Sequence, residues 1–278
     1  MRGEGNKKMT QGNRFEFGKN WTNFLLRLDE TRILKAEKSL KQMLELKSLE
    51  GKTFLDIGSG SGLFSLAARR LGATVHSFDY DALCVACTEE LKRRYFPQDD
   101  HWKVEKGDVL DAGHLKSLGK YDVVYSWGVL HHTGAMWRAM ENVIPSVTLG
   151  GKLFISIYND QGNASRRWRM LKKLYNKSSN IIRFILVLLV GLFWIIRTSL
   201  VRLSHLQNPL PFKEWADTEK ERGMSVWHDL VDWVGGYPFE VAKPEEVFDF
   251  YRQRGFELVR LKTRGGGLGC NEYVFVRK

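Results

Sequence analysis

Apolar and polar positions change their spacing along this chain in a regular order. Five short apolar runs have the length of buried strands, the last of them preceded by a predicted turn at 149–151: 53–57, 74–78, 102–105, 121–126 and 152–158. A helical spacing of apolar residues separates the second run from the third, over residues 82–95. Strands that alternate with helices are typical of a parallel sheet with right-handed crossovers, so the pattern predicts an α/β domain.

Further elements are predicted on both sides of this region. Residues 21–46 carry apolar side chains at helical spacing, which predicts an N-terminal helix. A helix is also predicted over 244–254, because proline suits a first helical turn and Gly255 follows the last one. Two strands at 256–263 and 273–277 are joined by a glycine-rich stretch, which predicts a hairpin and an antiparallel last strand.

The segment between these regions contains a strongly apolar run. Thirteen residues from 184 to 196 carry no charge, and Arg183 and Arg197 bound them. At about 1.5 Å per helical residue this run covers only about 20 Å, whereas a hydrocarbon core is roughly 30 Å thick. Three interpretations remain open: a helix that contacts or re-enters the membrane surface, a buried helix that forms a lid over the substrate, and a true span.

Charge distinguishes the same segment from the rest of the chain. The net charge is +11, from 43 basic and 32 acidic residues. Residues 161–213 hold ten lysines and arginines and no acidic residue, which leaves 33 basic and 32 acidic residues elsewhere. Four apolar or aromatic side chains also lie near one helix face among these cations: Trp168, Leu171, Leu174 and Tyr175. Such a pattern is typical of interfacial helices, so we expect membrane surface contact through residues 165–203.

Length and composition indicate one catalytic α/β domain with additions. The predicted units are an N-terminal helical cap at 1–50, a core at 51–160, a basic apolar helical insertion at 161–226, and a terminal part at 227–278. In the terminal part, a substrate-side loop, the last helix and the hairpin complete the core. Cys84 and Cys87 have no second pair to complete a zinc site, so no metal is expected. Without a disulfide framework or an apolar signal region, the expected setting is the cytoplasm, with peripheral contact to the inner face of the membrane.

The most informative motif follows the first predicted strand. Residues 56–62 read Asp-Ile-Gly-Ser-Gly-Ser-Gly, and a helical pattern begins at Leu63. Glycines after a strand let a ligand approach the backbone, but a dinucleotide-binding motif needs the third glycine one position later. The stretch resembles motif I of the class I methyltransferases that depend on S-adenosylmethionine (SAM). The chain looks nearest to the quinone-biosynthesis O-methyltransferase-like group, in which a segment similar to residues 15–21 caps the SAM site.

This resemblance implies a seven-stranded, doubly wound, mostly parallel Rossmann-like sheet with an antiparallel last strand, and SAM as the cofactor. It implies that Asp79 binds the ribose hydroxyls, that Tyr80 lies beside the adenine, and that Asp108 and Val109 recognise the adenine ring. In the first turn it implies contact with the methionine part of SAM by Asp56, Gly58, Ser59, Gly60 and Gly62.

Catalytic candidates come after the fourth strand and after the insertion. Ligands of open α/β sheets bind outside the carboxyl ends of the strands, which places four residues beside the reacting methyl group: Ser126, Trp127, His131 and His132. Transfer to a hydroxyl also needs a base, and a histidine near pH 7 suits this role. The sequence does not choose between His131 and His132. Residues 225–240 offer a third candidate, His228, among carboxylates and aromatic residues typical of acceptor pockets.

These features favour a SAM-dependent methyltransferase that methylates an oxygen of a lipophilic or lipid-linked small molecule at the membrane surface, such as a quinone precursor or glycolipid. One alternative is an RNA methyltransferase that uses the basic segment, although thirteen uncharged apolar residues argue against a nucleic-acid face. The other alternative is a SAM-binding, membrane-associated adaptor without activity. The sequence identifies neither the acceptor nor the oligomeric state.

Overall fold

The computed structural model describes residues 18, 21, 25, 28–209, 226–265 and 267–278, without the side chains of residues 226, 228 and 229. Of the predicted cap segment at 15–21, only Gly18 and Trp21 are therefore described. The side chain of the catalytic candidate His228 lies outside the described part. The predicted domain boundaries stay predictions.

Within the described residues, seven strands form one sheet in the order β3-β2-β1-β4-β5-β7-β6. The strands are β1 Thr53–Ile57, β2 Thr74–Asp79, β3 Trp102–Lys106, β4 Tyr121–Trp127, β5 Val147–Tyr158, β6 Phe256–Lys262 and β7 Cys270–Arg277. Strands β1 to β5 pair in parallel, whereas β7 is antiparallel to both β5 and β6. The predicted fold class is confirmed, including the antiparallel last strand.

Helices cover both faces of the sheet, in the ranges α1 Glu30–Leu44, α2 Leu63–Arg70, α3 Ala82–Tyr95, α4 Ala112–Leu118, α5 Met136–Val143, α6 Asn163–Lys177, α7 Asn180–Ser204, α8 Val226–Gly235 and α9 Pro244–Arg252. Alternate residues of one strand point to opposite faces. In β4, Val123 and Tyr125 pack with the cluster that contains α1, α2 and α3, whereas Val124 packs with the cluster that contains α5 and α9. Two apolar layers therefore hold the strand ends in fixed positions.

Strand β5 differs from its prediction at its beginning. It starts at Val147, five residues earlier than expected, and runs through the predicted turn at 149–151. Tyr121 pairs with Val147, but Val123 pairs with Lys152, so the intervening residues are taken up as an irregularity within the β4–β5 ladder. The prediction of a separate turn was wrong, because glycines also mark bulges inside strands.

The insertion forms the two helices α6 and α7, which pack with α8 in a third apolar cluster. Helix α7 extends beyond the uncharged run to 25 residues, of which only Val187 and Val190 are buried. Among the described residues it is the one helix long and apolar enough to cross a membrane by length and composition. Its apolar window is only 6% buried, so the interpretation as a buried lid helix does not hold.

Candidate functional site

The carboxyl ends of the central strands are joined by hydrogen bonds. Gly58 N–H donates to Phe78 O at 2.8 Å, which links the turn after β1 to the end of β2. Gly107 N–H donates to Asp79 O at 3.0 Å, and Ser126 Oγ donates to Ile57 O at 3.0 Å. The predicted cofactor residues, which are scattered over 72 positions from Asp56 to Trp127, are therefore gathered at the carboxyl ends of the strands.

The glycine turn after β1 has no room for larger residues. Gly58, Gly60 and Gly62 have φ of +79°, +56° and +80°, a region that residues with a Cβ rarely adopt. A Cβ on Gly58 would lie 2.4 Å from a Val129 methyl carbon, and one on Gly62 would lie 2.9 Å from Thr88 Cα. The backbone of this turn therefore approaches its surroundings closely and opens into the N-terminus of α2, which favours an anionic group.

Asp56 lies beneath this turn rather than on its surface. Its side chain is only 2% exposed, and Ser65 Oγ of α2 donates to its Oδ2 at 2.5 Å. Burial raises the pKa of Asp56 to about 7, against the effect of the Ser65 hydrogen bond. The carboxyl therefore fastens β1 to α2 in this structure, and its predicted contact with the cofactor stays a prediction.

Asp79 is held in place by two backbone groups. Gly60 N–H donates to Oδ2 and Asp81 N–H donates to Oδ1, both at 2.9 Å. The carboxylate that is expected to bind the ribose is thus fixed beside the glycine turn. Tyr80, the predicted adenine neighbour, is 39% exposed next to it.

The N-terminal segment reaches this same edge. Gly18 N–H donates to the Asp81 carboxylate at 3.0 Å. The Trp21 ring lies so near the glycine turn that a Cβ on Gly60 would be 3.2 Å from it. The two described residues of the predicted cap segment therefore lie over the predicted SAM site.

The other predicted cofactor residues occupy the neighbouring strand ends. Asp108 Oδ1 accepts from Leu110 N–H at 2.8 Å, a turn that fixes the carboxylate after β3, and Val109 beside it is buried. Ser126 is fully buried and joins β4 to β1, whereas Trp127 is 42% exposed at the end of β4. Of these two, only Trp127 offers its side chain to a ligand in this structure.

The two histidines after β4 differ in their surroundings. The His131 ring is fully buried and packs against the Tyr158 ring, with centroids 4.0 Å apart and the planes tilted by 46°. It has no hydrogen-bond partner of normal geometry among the described residues, although the Ser156 backbone lies nearby. Burial places the pKa of His131 well below its usual range, and the charges of His132 and Lys172 lower it further. His131 is therefore uncharged at neutral pH.

His132 has a defined tautomer. Its Nδ1 lies 2.5 Å from the carbonyl oxygen of Pro238. A carbonyl oxygen only accepts hydrogen bonds, so Nδ1 carries a proton, and in the neutral ring Nε2 carries the lone pair. An imidazole oriented by a backbone carbonyl in this way has the form of a general base.

Residues 233–240, which we call the bridge segment, bring the two predicted acceptor regions together. Glu240 N–H donates to His131 O at 3.0 Å, and the Glu240 carboxylate accepts from Met136 N–H at 3.0 and 3.2 Å. The Tyr158 ring lies 5.1 Å from the Phe239 ring and 6.0 Å from the Trp233 ring. His228 falls on α8, upstream of this segment.

The sequence patterns did not single out Lys172, Asn176 or Pro238 as members of this site. Lys172 is one of the ten lysines and arginines of residues 161–213, and it is fully buried beside the bridge segment. One usable signal was present in the sequence. Arg169, Lys172 and Asn176 are spaced three and four apart, which places three polar side chains on one face of α6.

The sequence of this chain is similar to those of known proteins. A family model described as a methyltransferase domain matches residues 28–185, more than half of the chain. The ubiquinone biosynthesis O-methyltransferase of Brucella ovis is 31% identical over 113 residues, 41% of this chain and 44% of that protein. The ribosomal protein L11 methyltransferase of Prochlorococcus marinus is 42% identical over 82 residues, 29% of this chain and 27% of that protein.

The fold is also found among solved structures. The magnesium protoporphyrin IX methyltransferase from Synechocystis, solved with bound SAH, superposes with a TM-score of 0.51 at 15% identity, over 88% of this chain and 83% of that one. The chain matches less than half the length of the curated relatives, whose printed names give different acceptors. The region that the family model matches contains strands β1 to β5 and the glycine turn, and it ends within the insertion.

Proposed function

The chain belongs to the methyltransferase domain family and its cofactor is SAM, and from this premise we propose that it methylates an oxygen of a lipophilic small molecule at a membrane surface. The glycine turn fits the cofactor, because its three glycines present backbone without side chains of their own at a helix N-terminus. Asp79 and Asp108 supply two oriented carboxylates for the ribose and the adenine. When bound, SAM supplies a methyl group on a cationic sulfur, so that the acceptor oxygen forms the C–O bond while the C–S electron pair returns to sulfur.

We assign the base to His132 in this proposal. The hydroxyl proton of the acceptor moves to Nε2, which carries the lone pair because Pro238 O holds the proton on Nδ1. His131 packs against this ring with centroids 4.6 Å apart and excludes water from one side. The protein thus needs only to align the acceptor and remove one proton.

Replacing His132 by asparagine should lower kcat by about 100-fold or more, because the base is lost. The asparagine amide can still donate to Pro238 O from the position of Nδ1, so the loop and the affinity for SAM should be kept. His101→Asn, an exposed histidine before β3, is the matched control and should behave as wild type. A His132→Asn enzyme with at least a third of the wild-type kcat would show that another group takes the proton.

The membrane part of the proposal rests on the exposed apolar face of α7. Large apolar side chains on this helix are about half exposed, among them Leu188, Leu189, Leu192, Phe193 and Ile196. An apolar surface of this extent beside an acid-free basic helix matches a bilayer with anionic headgroups. No partner of other chemistry is needed to explain both features.

Surface contact fits the packing better than a span. Phe184, Gly191 and Trp194 of α7 pack against α6 or α8. Helix α6 carries exposed Arg166, Arg167, Lys173 and Lys177. A spanning α7 would draw these cations into the hydrocarbon core, which is costly. Lying in the interface, α7 faces lipid while α6 remains at the headgroups.

The acceptor can be sought directly. The protein is incubated with SAM carrying a deuterated methyl group and with a lipid extract, and the products are examined by mass spectrometry. We expect the label in a lipid-phase molecule, and none with His132→Asn. Label confined to water-soluble molecules, to protein or to RNA would contradict the proposal.

A further inference from the structure

Three side chains on one face of α6 donate hydrogen bonds to backbone carbonyls of the bridge segment. Lys172 Nζ donates to Trp233 O. Arg169 Nε donates to Phe239 O at 3.1 Å, and Asn176 Nδ2 donates to Gly235 O at 2.7 Å. The insertion is therefore tied to the bridge segment at three successive points. None of the three interpretations of the insertion that its sequence left open predicts this tie.

Lys172 is the buried member of this group. It has no exposed surface, and its Nζ lies 4.6 Å from the centroid of the Trp233 ring and 4.9 Å from that of Phe239. In the described part of the chain it forms no ion pair with a carboxylate, although the charge of Asp232 acts on it at longer range. Burial lowers the pKa of Lys172 to about 7. A lysine is rarely buried in this way unless its amine holds something in place.

The bridge segment in turn holds the histidine turn. Its Pro238 carbonyl accepts from His132 Nδ1, and its Glu240 N–H donates to His131 O. In sequence, Pro238 lies between Trp233 and Phe239, whose rings flank the Lys172 amine. It directly precedes Phe239, whose carbonyl accepts a hydrogen bond from Arg169. A shift of the segment away from α6 would move the Pro238 carbonyl from the His132 ring.

We propose that Lys172 is a positioning residue for methyl transfer, which acts through Trp233 and Phe239 to hold the Pro238 carbonyl against Nδ1 of His132. This inference rests on the proposed role of His132 as the base. Lys172 touches neither SAM nor the acceptor oxygen in this scheme. The basic insertion then has two tasks, contact with lipid through α7 and orientation of the base through α6.

The test compares Lys172→Met with Lys152→Met in the full-length protein. Lys152 is a matched control, because its Nζ also donates to a backbone carbonyl, that of Leu44, on a different part of the sheet. Nitrogen-15 NMR of histidine-labelled protein reports which ring nitrogen of His132 carries the proton, and His132→Asn assigns the signal. We expect the Nδ1–H form in the wild type and in Lys152→Met, and a mixture of both tautomers in Lys172→Met.

The rate of methyl transfer should depend on which ring nitrogen of His132 carries the proton. With the acceptor that the labelling experiment identifies, kcat of Lys172→Met should fall by about 10- to 100-fold, since a small misplacement of a catalytic group lowers the rate by this much. The Kd for SAM should remain within a factor of about two, because the glycine turn does not touch α6. A loss of general stability alone would not change the tautomer of one histidine.

Two results would overturn the inference: a wild-type His132 protonated on Nε2, or an unchanged His132 signal in folded Lys172→Met. If Lys172→Met does not fold, Arg169→Gln removes the exposed donor to Phe239 O and should give the same mixture to a smaller extent. An unchanged signal there would count against the inference equally. A changed tautomer together with full activity of His132→Asn would refute the base assignment and leave the positioning role of Lys172 intact.

Discussion

Gly58→Ala should remove SAM binding from a protein that remains folded. The residue has φ of +79°, and an alanine Cβ would lie 2.4 and 2.5 Å from the two Val129 methyl carbons. The positive φ costs about 1–2 kcal/mol, and relief of the contact must displace either the glycine turn or the loop that leads to His131. We expect the Kd for SAM, measured by calorimetry, to rise by about 100-fold or more.

Gly51→Ala is the control that distinguishes the effect of backbone strain from the loss of the SAM-binding site. Gly51 has φ of +71°, close to that of Gly58, but a Cβ there would meet no atom within 4 Å. Both variants should lose stability from the positive φ in thermal unfolding, and Gly58→Ala should lose more because of the Val129 contact, while only Gly58→Ala should lose SAM. Wild-type affinity in Gly58→Ala would mean that the cofactor does not rest on this turn.

The glycine turn after β1 could be predicted from the sequence because the residues that form it are adjacent in the chain. Strand, acid, glycines and helix follow one another within residues 53–70, and each contributes a preference that the fold satisfies. The same holds for the parallel strands up to Trp127 and for the terminal hairpin. The helices α4 and α5 were not predicted, since they span only seven and eight residues, too few for a clear helical period.

The proposed base could not be predicted in the same way, because its environment comes from distant parts of the chain. His132 and Pro238 are 106 positions apart, and only the folded chain brings the carbonyl to the ring. Lys172 is a similar case, since a lysine in a basic segment is normally solvated. Only the packing of α6 on the bridge segment shows that this one is buried. Such long-range contacts separate His132 from His131, which the sequence left equivalent.

Replacing Leu189 and Phe193 together by serine should strongly weaken binding to vesicles. The two side chains are four residues apart on one face of α7 and each is 57% exposed. Burying such a side chain in an apolar phase gains about 1.5–3 kcal/mol at most, so two partly exposed ones account for roughly 2–4 kcal/mol. Co-sedimentation with anionic vesicles should therefore weaken by about 30-fold or more.

Leu149→Ser provides the matched control, because Leu149 is 74% exposed on β5 and lies outside the insertion. It should leave vesicle binding unchanged, and neither variant should alter the affinity for SAM. High salt should weaken the contribution of the cations but leave that of the apolar side chains of α7, since only the former is electrostatic. Vesicle binding that disappears with salt yet persists in the double variant would mean that α6 alone holds the protein at the membrane, and that α7 meets something other than lipid.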